Sequence, residues 1–525
     1  MAIKILDCTL RDGGYINDWN FSNNQIKNII TSLKNSKVDI IECGYLNDKK
    51  GKYSDSTLFD TVNTTDKLLD SMNIKVQKVV MINLGDFNID NLPLKEESAI
   101  DGIRLAFHKK DLEQALELAS KIIKLGYKLY FQPMVTKKYN DNEFLLLVNS
   151  INKLDIYSFY IVDSFGSMTL KEFQRYFILA DNNLNKNILL GYHSHNNMQL
   201  AFSNAINMCN EDINRDIIVD ASIYGIGRGA GNLNTELITD YLNKTFNKNY
   251  NILPLLEIID EFLSSLMKKN PWGFSPAQYL SASFDCHPNY ATYLINKNTN
   301  HIVGVHKVLE KLPDINKASF NKEIIEKLYI ESLIETKTAI KGTLNILSNK
   351  KVLLIASGKS VEKYQEKIDK KINDENYIFL ALNHKPAFEC DYYFFSNQKR
   401  FDEFKEILPL DKVVITSNIL SDLGSNIVLD IKQLVFTGNK FITNVAIVAI
   451  NYLISKNIKK VEIIGLDGYK VNMDNYNYKE TSIITDSNEL IEQNYILSSS
   501  LKYLIENIDI TFLTPSIFEG EIKKC

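Results

Sequence analysis

Three short segments of the chain gather the residue types that carry out metal-assisted chemistry. Asp7–Gly14 contains an Arg-Asp-Gly-Gly turn, Gly191–Asn197 contains His-x-His, and Gly225–Asn232 is rich in glycine. Each segment directly follows a run of residues with high β propensity, so each is expected at the end of a strand. The sequence therefore predicts that carboxylate, imidazole and guanidinium groups meet at one site.

The His-x-His spacing indicates a metal site. His193 and His195 are two residues apart on a predicted strand, so both side chains point to the same side. With the carboxylate of Asp12 they offer two nitrogen ligands and one oxygen ligand, which suits Mn²⁺ or Mg²⁺, with Co²⁺ and Zn²⁺ as alternatives. A single strand histidine is more often a hydrogen-bonded core residue, but the paired spacing favours metal.

Further polar residues end other predicted strands and are expected to face the same cavity. Arg11 is adjacent to Asp12, where its fixed charge can face oxygen atoms of a metal-bound substrate. The expected substrate-binding residues at the ends of the second, fourth, fifth and sixth strands are Glu42, Arg104, Gln132 and Asp163. Alternatives are a surface salt bridge for Arg11, a buried ion pair for Glu42 and a helix cap for Asp163.

Eight β-rich runs alternate with helical patterns up to about residue 245. The runs are Ile3–Asp7, Val38–Cys43, Val76–Asn83, Gly102–Phe107, Leu129–Met134, Phe159–Asp163, Ile188–His195 and Ile217–Ile223. The helical patterns include Asn24–Ser36, Asp111–Leu125 and Met198–Cys209. This alternation over residues 1–245 predicts a (β/α)8 barrel, in which the C-terminal ends of all strands form one catalytic face.

The rest of the chain predicts a second, separate α/β fold. Residues 246–340 read as a mostly helical extension of the barrel, and the boundary is expected within 336–349. Residues 350–525 alternate again and predict an open, doubly wound, Rossmann-like sheet. Its expected strands are Val352–Ala356, Tyr377–Leu382, Tyr392–Ser396, Val413–Thr416, Val461–Gly465 and Ile510–Leu513, with helices at Ser360–Ile372, Phe441–Ser455 and Leu490–Glu506.

Composition excludes several classes of protein. The 525 residues include 60 Lys and Arg against 64 Asp and Glu, a net charge of −4, which argues against a nucleic-acid partner. The six cysteines are scattered singly, so neither a structural zinc site nor a disulfide framework is indicated. No signal segment and no membrane-spanning run is evident. We expect a cytoplasmic protein, and a homo-oligomer.

Five motifs in order resemble one enzyme family. They are Asp-x-Thr-Leu-Arg-Asp-Gly, a Glu-x-Gly strand end, Asp-Ser-x-Gly, His-x-His-Asn and Gly-x-Gly-Arg-Gly-Ala-Gly-Asn. Residues 1–245 thereby resemble the metal-dependent lyase and aldolase barrels related to 3-hydroxy-3-methylglutaryl-CoA lyase, and look nearest to the 4-hydroxy-2-oxovalerate aldolase group. The resemblance implies that Asp12, His193 and His195 bind the metal, that Arg11 stabilises an enolate, and that Asn232 contacts the metal's surroundings or the substrate.

The sequence departs from the pyruvate aldolases at the expected base. Those enzymes carry a histidine three residues after the ligand aspartate, where this chain has Tyr15. Tyr15 is the first candidate for removing the proton of a 4-hydroxyl group, and His287 is the second. Tyr15 as an aromatic wall of the pocket is the alternative.

The second fold carries candidates for a nucleotide site. Ser357 and Gly358 lie in a turn between a strand and a helix, a geometry that can hold phosphate. Asn383 and Asp467 are expected at neighbouring strand ends, and these pieces resemble bacterial sialyltransferase-like Rossmann domains. A nucleotide or nucleotide-sugar ligand is therefore expected, with a Rossmann-like domain without its own catalytic role as the alternative.

Three functional hypotheses follow. The first is a metal-dependent aldolase that cleaves or forms a 4-hydroxy-2-oxo acid from a small 2-oxo acid and an aldehyde. The second is an acyl-CoA Claisen-type synthase or lyase, which is disfavoured because the last barrel loop lacks cysteine. The third is a nucleotide-sugar transferase centred on residues 350–525.

Overall fold

The computed structural model describes residues 2–52, 54–70, 72, 75–297, 302–346, 350–372, 374–421, 427–438, 440–470, 475 and 487–522. The chain divides into two compact units, Met1–Thr292 with Pro313–Phe320 and Tyr293–Leu312 with Asn321–Cys525. The stretch 246–340 is thus shared between the two units, and its role as an extension of the barrel stays a prediction. The expected boundary at 336–349 ends in residues 347–349, which lie outside the described residues.

The first unit is built on eight parallel strands. They are β1 (Ile3–Asp7), β2 (Ile40–Leu46), β3 (Gln77–Asn83), β4 (Gly102–Phe107), β5 (Lys128–Pro133), β6 (Ser158–Asp163), β7 (Leu189–Ser194) and β8 (Ile217–Ala221). Each strand pairs in parallel with the next along the chain, and β1 pairs with both β2 and β8, so the sheet closes. A two-residue strand, Leu58–Phe59, adds to β2. The predicted (β/α)8 barrel is confirmed.

Alternation along β4 shows how the barrel separates its outside from its inside. Ile103 and Leu105 belong to the large hydrophobic cluster that also contains the helix residues, whereas Arg104 between them is fully buried on the other face. The interior therefore holds charge, which needs partners because an unpaired buried charge is costly.

The helices of the first unit cover the barrel with apolar faces. Ile26, Ile29, Ile30 and Leu33 recur at helical spacing on Asn23–Asn35 and are buried, and Ser22 caps that helix. The α-helices of the chain up to residue 296 are Thr9–Asp12, Gly14–Asn17, Asn23–Asn35, Val62–Asp70, Leu112–Lys124, Asp141–Ile151, Leu170–Asn183, Ala201–Asn210, Thr235–Phe246, Leu253–Ile258, Ser264–Lys269, Pro276–Ser283 and Asn289–Asn296.

The second unit is built on a seven-stranded parallel sheet. Its strands are β9 (Lys351–Ile355), β10 (Tyr377–Leu382), β11 (Tyr392–Phe395), β12 (Val413–Thr416), β13 (Ile427–Leu429), β14 (Lys460–Ile464) and β15 (Asp509–Phe512). The order across the sheet is β13-β12-β11-β10-β9-β14-β15. The sheet thus grows from β9 first to one side and then to the other, so the strand order reverses at β9. The helices are Ile302–Glu310, Lys322–Leu333, Ser360–Lys363, Gln365–Ile372, Gln398–Phe404, Val445–Ser455, Ser487–Leu504 and Glu519–Ile522.

Two hydrophobic clusters cover the two faces of this sheet. Val352 and Leu354 pack in one cluster with the helix Val445–Ser455, and Leu353 packs in the other with Phe401. Because neighbouring strand residues point to opposite faces, helices lie on both sides of the sheet. The expectation of a doubly wound α/β fold is confirmed.

Three expected helices differ from the structure at their starts or in their continuity, and one strand was not predicted. The helix expected from Met198 begins at Ala201, because Gln199 has a positive φ of 58°. The helix expected over 360–372 breaks at Tyr364, which has non-helical backbone angles. Phe441, expected in a helix, lies in a two-residue strand that pairs with Phe436–Thr437, and Asn444 then caps the helix from Val445. The three-residue strand β13 was too short to be predicted.

Among the described residues, no helix combines the length and the apolar character that crossing a bilayer requires.

Candidate functional site

Asp12 and His193 meet in the mouth of the barrel. Asp12 ends the short helix that follows β1, and His193 lies next to the last residue of β7. Both side chains are buried, and Asp12 Oδ2 lies 3.5 Å from His193 Nε2. These two predicted ligands are close enough to hold one ion between them.

Asp220 on β8 fixes the orientation of His193. His193 Nδ1 lies 3.0 Å from Asp220 Oδ2, and a carboxylate can only accept, so Nδ1 carries the proton. In the neutral ring, Nε2 then presents a lone pair to the Asp12 carboxylate. Two acceptors that face each other in a buried place need a proton or a cation between them, and a carboxylate behind a ligand histidine is the usual support of a metal site.

His195 and Asn232 add two more buried acceptors. An isolated antiparallel bridge joins the backbones of His195 and Asn232, and the ring of His195 lies 5.4 Å from that of His193. His195 Nδ1 and Asn232 Oδ1 are buried without a hydrogen-bond partner. Burial lowers the pKa of His195 to about 3, with Asp12 opposing this shift, so the ring is neutral at pH 7. This donor set fits a divalent cation.

Cys8 lies beside the same group but is a poor ligand. Its thiol is 3.9 Å from Asp12 Oδ2 and 3.2 Å from the carbonyl oxygen of Ala221, to which it donates. Burial, and then the charge of Asp12, raise the pKa of the Cys8 thiol, so it stays protonated. The compact trio of Cys8, Asp12 and His193 therefore offers one oxygen and one nitrogen rather than a thiolate.

Arg11 is held against both Asp12 and Glu42. Its Nη1 lies 2.6 Å from Asp12 Oδ1, and its Nε donates to Glu42 Oε2 at 3.0 Å. Burial opposes ionisation of Asp12, but the charge of Arg11, the largest of the opposing effects, holds the pKa of that carboxyl well below its usual range. Arg11 Nη2 is buried without a hydrogen-bond partner. Arg11 and Asp12 therefore form a buried ion pair, and the alternative of a surface salt bridge for Arg11 does not describe it.

Glu42, Arg104 and Gln132 form part of a buried network instead of an open substrate surface. Glu42 Oε2 accepts from Arg104 Nη1 at 2.6 Å as well as from Arg11. Arg104 also pairs with Asp220, and Gln132 lies beside the same guanidinium, its oxygen 2.7 Å from Nε in the amide orientation that satisfies both groups. The network thus connects Arg11 to the aspartate behind His193.

Asp163 caps the chain after β6, and its backbone carbonyl accepts from the N–H of His195 at 3.1 Å. Its two carboxylate oxygens accept from the backbone N–H groups of Ser167 and Met168 at 3.1 and 3.0 Å. Burial raises the pKa of Asp163 to about 6, although both hydrogen bonds lower it. The geometry favours the cap that was the alternative to substrate binding.

Tyr15 and His287, the two candidate bases, share one neighbour. The guanidinium of Arg228 lies 5.3 Å from the centre of the Tyr15 ring, and its Nη1 lies 3.2 Å from His287 Nε2. His287 Nδ1 lies 3.2 Å from the N–H of Asn289, which donates to it. Burial, and then the charge of Arg228, lower the pKa of His287 to about 2, so it is a weak proton acceptor.

The low pKa of His287 predicts a pH effect on stability. An unfolded histidine takes up a proton near pH 6.5, whereas folded His287 stays neutral down to about pH 2. Between these values the unfolded state binds more protons, so this residue lowers the free energy of unfolding as the pH falls. His287→Gln should therefore flatten the dependence of urea midpoints on pH between 7 and 5. An equally steep dependence in the variant would contradict the shift.

Two residues at the site escaped prediction. Asp220 binds Arg104, His193 and, through Oδ1, the hydroxyl of Tyr160 at 3.1 Å. The available signal was a charged residue within the otherwise apolar β8. Arg228 was visible as the one charged residue of the glycine-rich loop Gly225–Asn232.

A cavity of about 320 Å³ lies at the end of the second sheet where its strand order reverses. It is lined by segments that follow β9, β10 and β14, and all four predicted residues, Ser357, Gly358, Asn383 and Asp467, line it. Arg400, which is 6% exposed, and Asn444 at the start of the helix Val445–Ser455 line it as well. This is where doubly wound sheets bind ligands.

The backbone of the predicted phosphate turn is already engaged. Asp467 Oδ2 accepts from the N–H of Ser360 at 2.8 Å, and Oδ1 accepts from the Ser360 hydroxyl. The N–H of Gly358 donates to the carbonyl of Gly465 at 2.8 Å. A phosphate at this turn would meet the Asp467 carboxylate, so an anion in the cavity is better placed towards Arg400 and the N-terminus of Val445–Ser455.

Comparisons with known proteins agree with the barrel. Residues 103–260 match the HMGL-like family model. The chain is 22% identical to the 4-hydroxy-2-oxovalerate aldolase of Pseudoalteromonas translucida over 271 residues, which is 50% of this chain and 77% of that protein. It is 24% identical to the enzyme of the same name from Geobacillus genomosp. 3 over 246 residues, 46% of this chain and 71% of the relative.

Among solved structures, the N-terminal domain of a candidate aldolase from Bacteroides vulgatus is 29% identical. It matches 57% of this chain and 99% of that domain with a TM-score of 0.49. The family resemblance that the five sequence motifs carry is confirmed by the matched model and relatives. The barrel of this chain is therefore similar to the HMGL-like family, whose model it matches over residues 103–260.

Proposed function

We propose that the barrel is a metal-dependent aldolase that cleaves, or forms in reverse, a 4-hydroxy-2-oxo acid. The observation that carries the proposal is the buried group of Asp12, His193 and His195 beside Arg11. The relatives named 4-hydroxy-2-oxovalerate aldolase support the same class of reaction. The products of cleavage would be a 2-oxo acid such as pyruvate and an aldehyde.

The side chains divide the work between binding and charge stabilisation. Asp12, His193 and His195 would hold a divalent ion, Mn²⁺ or Mg²⁺ by ligand type, which supplies Lewis-acid chemistry when bound. Arg11 keeps its Nε on Glu42, while its buried Nη2 has no hydrogen-bond partner and is available to a substrate oxygen. Fixed positive charge at that place stabilises the enolate oxygen as it becomes negative.

We propose that Tyr15 accepts the proton of the 4-hydroxyl group as its phenolate; burial raises the pKa of this phenol, and the charges of Arg228 and Arg11 oppose that rise and favour the phenolate. His287 is the weaker candidate, because its pKa is about 2 and its Nδ1 already accepts from the N–H of Asn289. Tyr15→Phe should then lower kcat more than His287→Gln does. The reverse order would reassign the base to His287.

The test of the proposed function is a turnover screen of the purified full-length chain. Pyruvate and other 2-oxo acids are combined with a series of aldehydes, with and without Mn²⁺ or Mg²⁺, and a parallel series uses acetyl-CoA with 2-oxo acids. Metal-dependent aldol turnover supports the proposal. Turnover with acetyl-CoA alone would replace it with Claisen-type chemistry.

Asp220 gives a prediction about metal affinity. Asp220→Asn removes the carboxylate that orients His193, and loss of such a support typically weakens metal binding by about 10- to 100-fold. Tyr160→Phe is the matched control, because it removes the hydrogen bond from the Tyr160 hydroxyl to Asp220 and leaves the contact between Asp220 and His193 intact. Titration with Mn²⁺ measures both. Equal affinity in Asp220→Asn and wild type would contradict this role.

A second proposed function belongs to the second unit, a nucleotide or nucleotide-sugar site in its 320 Å³ cavity. The cavity lies at the reversal of strand order, and its polar lining includes Asn383, Arg400 and the start of the helix Val445–Ser455. Arg400 forms an ion pair with Glu403 at 2.9 Å through one nitrogen, Nη1. A guanidinium together with a helix N-terminus suits a phosphate group.

Calorimetric titration of the full-length chain tests this second site. Nucleoside mono-, di- and triphosphates and CMP-sugars are titrated into wild type, Arg400→Gln and the exposed control Lys460→Gln. At least one ligand should bind more tightly than about 1 mM, roughly −4 kcal/mol, and Arg400→Gln should weaken it. Weaker binding for every ligand would leave the unit without this role.

A further inference from the structure

The guanidinium of Arg228 forms no ion pair with any Asp or Glu among the residues that the structure describes. Its Nη1 lies 3.2 Å from Nε2 of His287, its central carbon lies 5.3 Å from the centre of the Tyr15 ring, and its Nε is buried without a hydrogen-bond partner. The charge of Arg228 helps to lower the pKa of Asp12, but that carboxylate is already paired with Arg11. A charge that is partly removed from water and has no carboxylate of its own costs free energy. Such a charge is therefore expected to have a ligand.

The backbone around Arg228 is held in one conformation by two glycines and by a hydrogen bond to a neighbouring segment. The position of the guanidinium therefore follows from the structure of the loop. Gly229 and Gly231 have φ values of +72° and +77°, which only glycine adopts easily. A Cβ on Gly231 would come within 1.9 Å of the carbonyl oxygen of Gly225. The N–H of Ala230 donates to Asn197 Oδ1 at 2.8 Å and fastens the loop to the segment after β7.

The same loop places Arg228 on the solvent side of the three predicted metal ligands, Asp12, His193 and His195. Asn232, four residues later, pairs with His195 inside the mouth, whereas Tyr15 beside Arg228 is 41% exposed. A substrate whose 2-oxo acid end lies at Asp12 and Arg11 would therefore extend its other end towards Arg228. Arg11 already serves the inner end, so a second guanidinium further out has a different part of the substrate to bind.

We propose that Arg228 binds a carboxylate or phosphate on the aldehyde-derived half of the substrate. This inference rests on the proposed aldolase reaction and narrows its substrate class to anionic aldehydes. In cleavage the C3–C4 bond breaks, the 4-hydroxyl proton passes to the base, and the electron pair of the bond passes to the 2-oxo acid as its enolate. Arg228 holds the departing aldehyde by its charged end and takes no part in the bond changes.

Paired aldehydes of different charge test the inference. The full-length chain with Mn²⁺ and pyruvate is assayed with propanal, with succinic semialdehyde and with glyceraldehyde 3-phosphate. The two anionic aldehydes distinguish a carboxylate from a phosphate. The variants are Arg228→Gln and the matched control Arg175→Gln, whose guanidinium is exposed and paired with Asp141 on an outer helix. A direct binding measurement, calorimetric titration with butyrate and with ethyl phosphate, accompanies the kinetics.

We expect wild type and Arg175→Gln to prefer one anionic aldehyde over propanal in kcat/KM. Arg228→Gln should lower kcat/KM for that aldehyde by about 100-fold, the loss expected for a charge-assisted hydrogen-bonded pair, and should raise its KM more than that of pyruvate. The corresponding probe, butyrate or ethyl phosphate, should bind more weakly to Arg228→Gln.

The outcomes separate this inference from the proposed function. Aldol turnover without preference for an anionic aldehyde, or with a preference that survives in Arg228→Gln, overturns the inference and leaves the aldolase in place. An effect on the KM of pyruvate alone also overturns it, because Arg228 would then serve the inner end. Absence of any turnover, with anion binding that depends on Arg228, refutes the aldolase and supports the anion site. Absence of both refutes both.

Discussion

Asp12→Asn should remove the bound metal and nearly all turnover. The substitution keeps the shape of the side chain but takes away the negative charge that faces His193 Nε2 at 3.5 Å. A hard divalent cation held by His193 and His195 alone would have two neutral ligands, which hold it poorly against water. Loss of a Lewis acid worth several kcal/mol lowers kcat on the order of 10³-fold. Metal content by mass spectrometry and kcat under saturating 2-oxo acid measure the two effects.

A matched control lies six residues further along the chain. Asp18 is exposed and has a φ of 56°, a conformation that asparagine also adopts, so Asp18→Asn makes the same chemical change without disturbing the fold. Its metal content and kcat should equal those of wild type. His195→Ala should lose metal as Asp12→Asn does, since it removes one nitrogen ligand. Full metal occupancy and full turnover in Asp12→Asn would refute the assigned ligand set.

The barrel could be predicted from the sequence because each of its strands has a recognisable local pattern. Strands of a parallel sheet that are covered on both faces form short apolar runs, and β4 and β1 were predicted with their observed bounds. The His-x-His pair could also be predicted, because two residues on one strand point to the same side whatever the rest of the chain does. Local patterns of this kind need no knowledge of tertiary contacts.

The partners of these residues could not be predicted, because they come together through closure of the barrel. Arg104 and Asp220 are 116 positions apart, yet they pair inside the barrel next to His193. No spacing rule distinguishes a strand-end arginine that binds substrate from one that pairs with a distant aspartate. The same holds for Ser360 and Asp467, which are 107 positions apart and close the turn expected to bind phosphate.

Arg11→Lys should lower kcat by on the order of 10²–10³ while the metal content stays at the wild-type level. Lysine keeps the charge but has no planar fork, so it cannot hold Glu42 through one nitrogen and offer another to a substrate oxygen. Asp12, His193 and His195 are untouched, so metal binding is not the step that suffers. The KM of the 2-oxo acid should change less than kcat, because the charge on the enolate oxygen develops only as the C3–C4 bond breaks.

Arg175→Lys, at an exposed arginine that pairs with Asp141, is the control for the same exchange and should retain wild-type kcat. Metal analysis of both variants separates a failed site from a failed reaction. If Arg11→Lys lost metal together with turnover, the role of Arg11 would be to hold Asp12, with which it forms an ion pair of 2.6 Å. If kcat were unchanged with metal in place, Arg11 would have no part in stabilising the enolate. The expected combination, full metal and a slow reaction, assigns it to the charge that forms in the transition state.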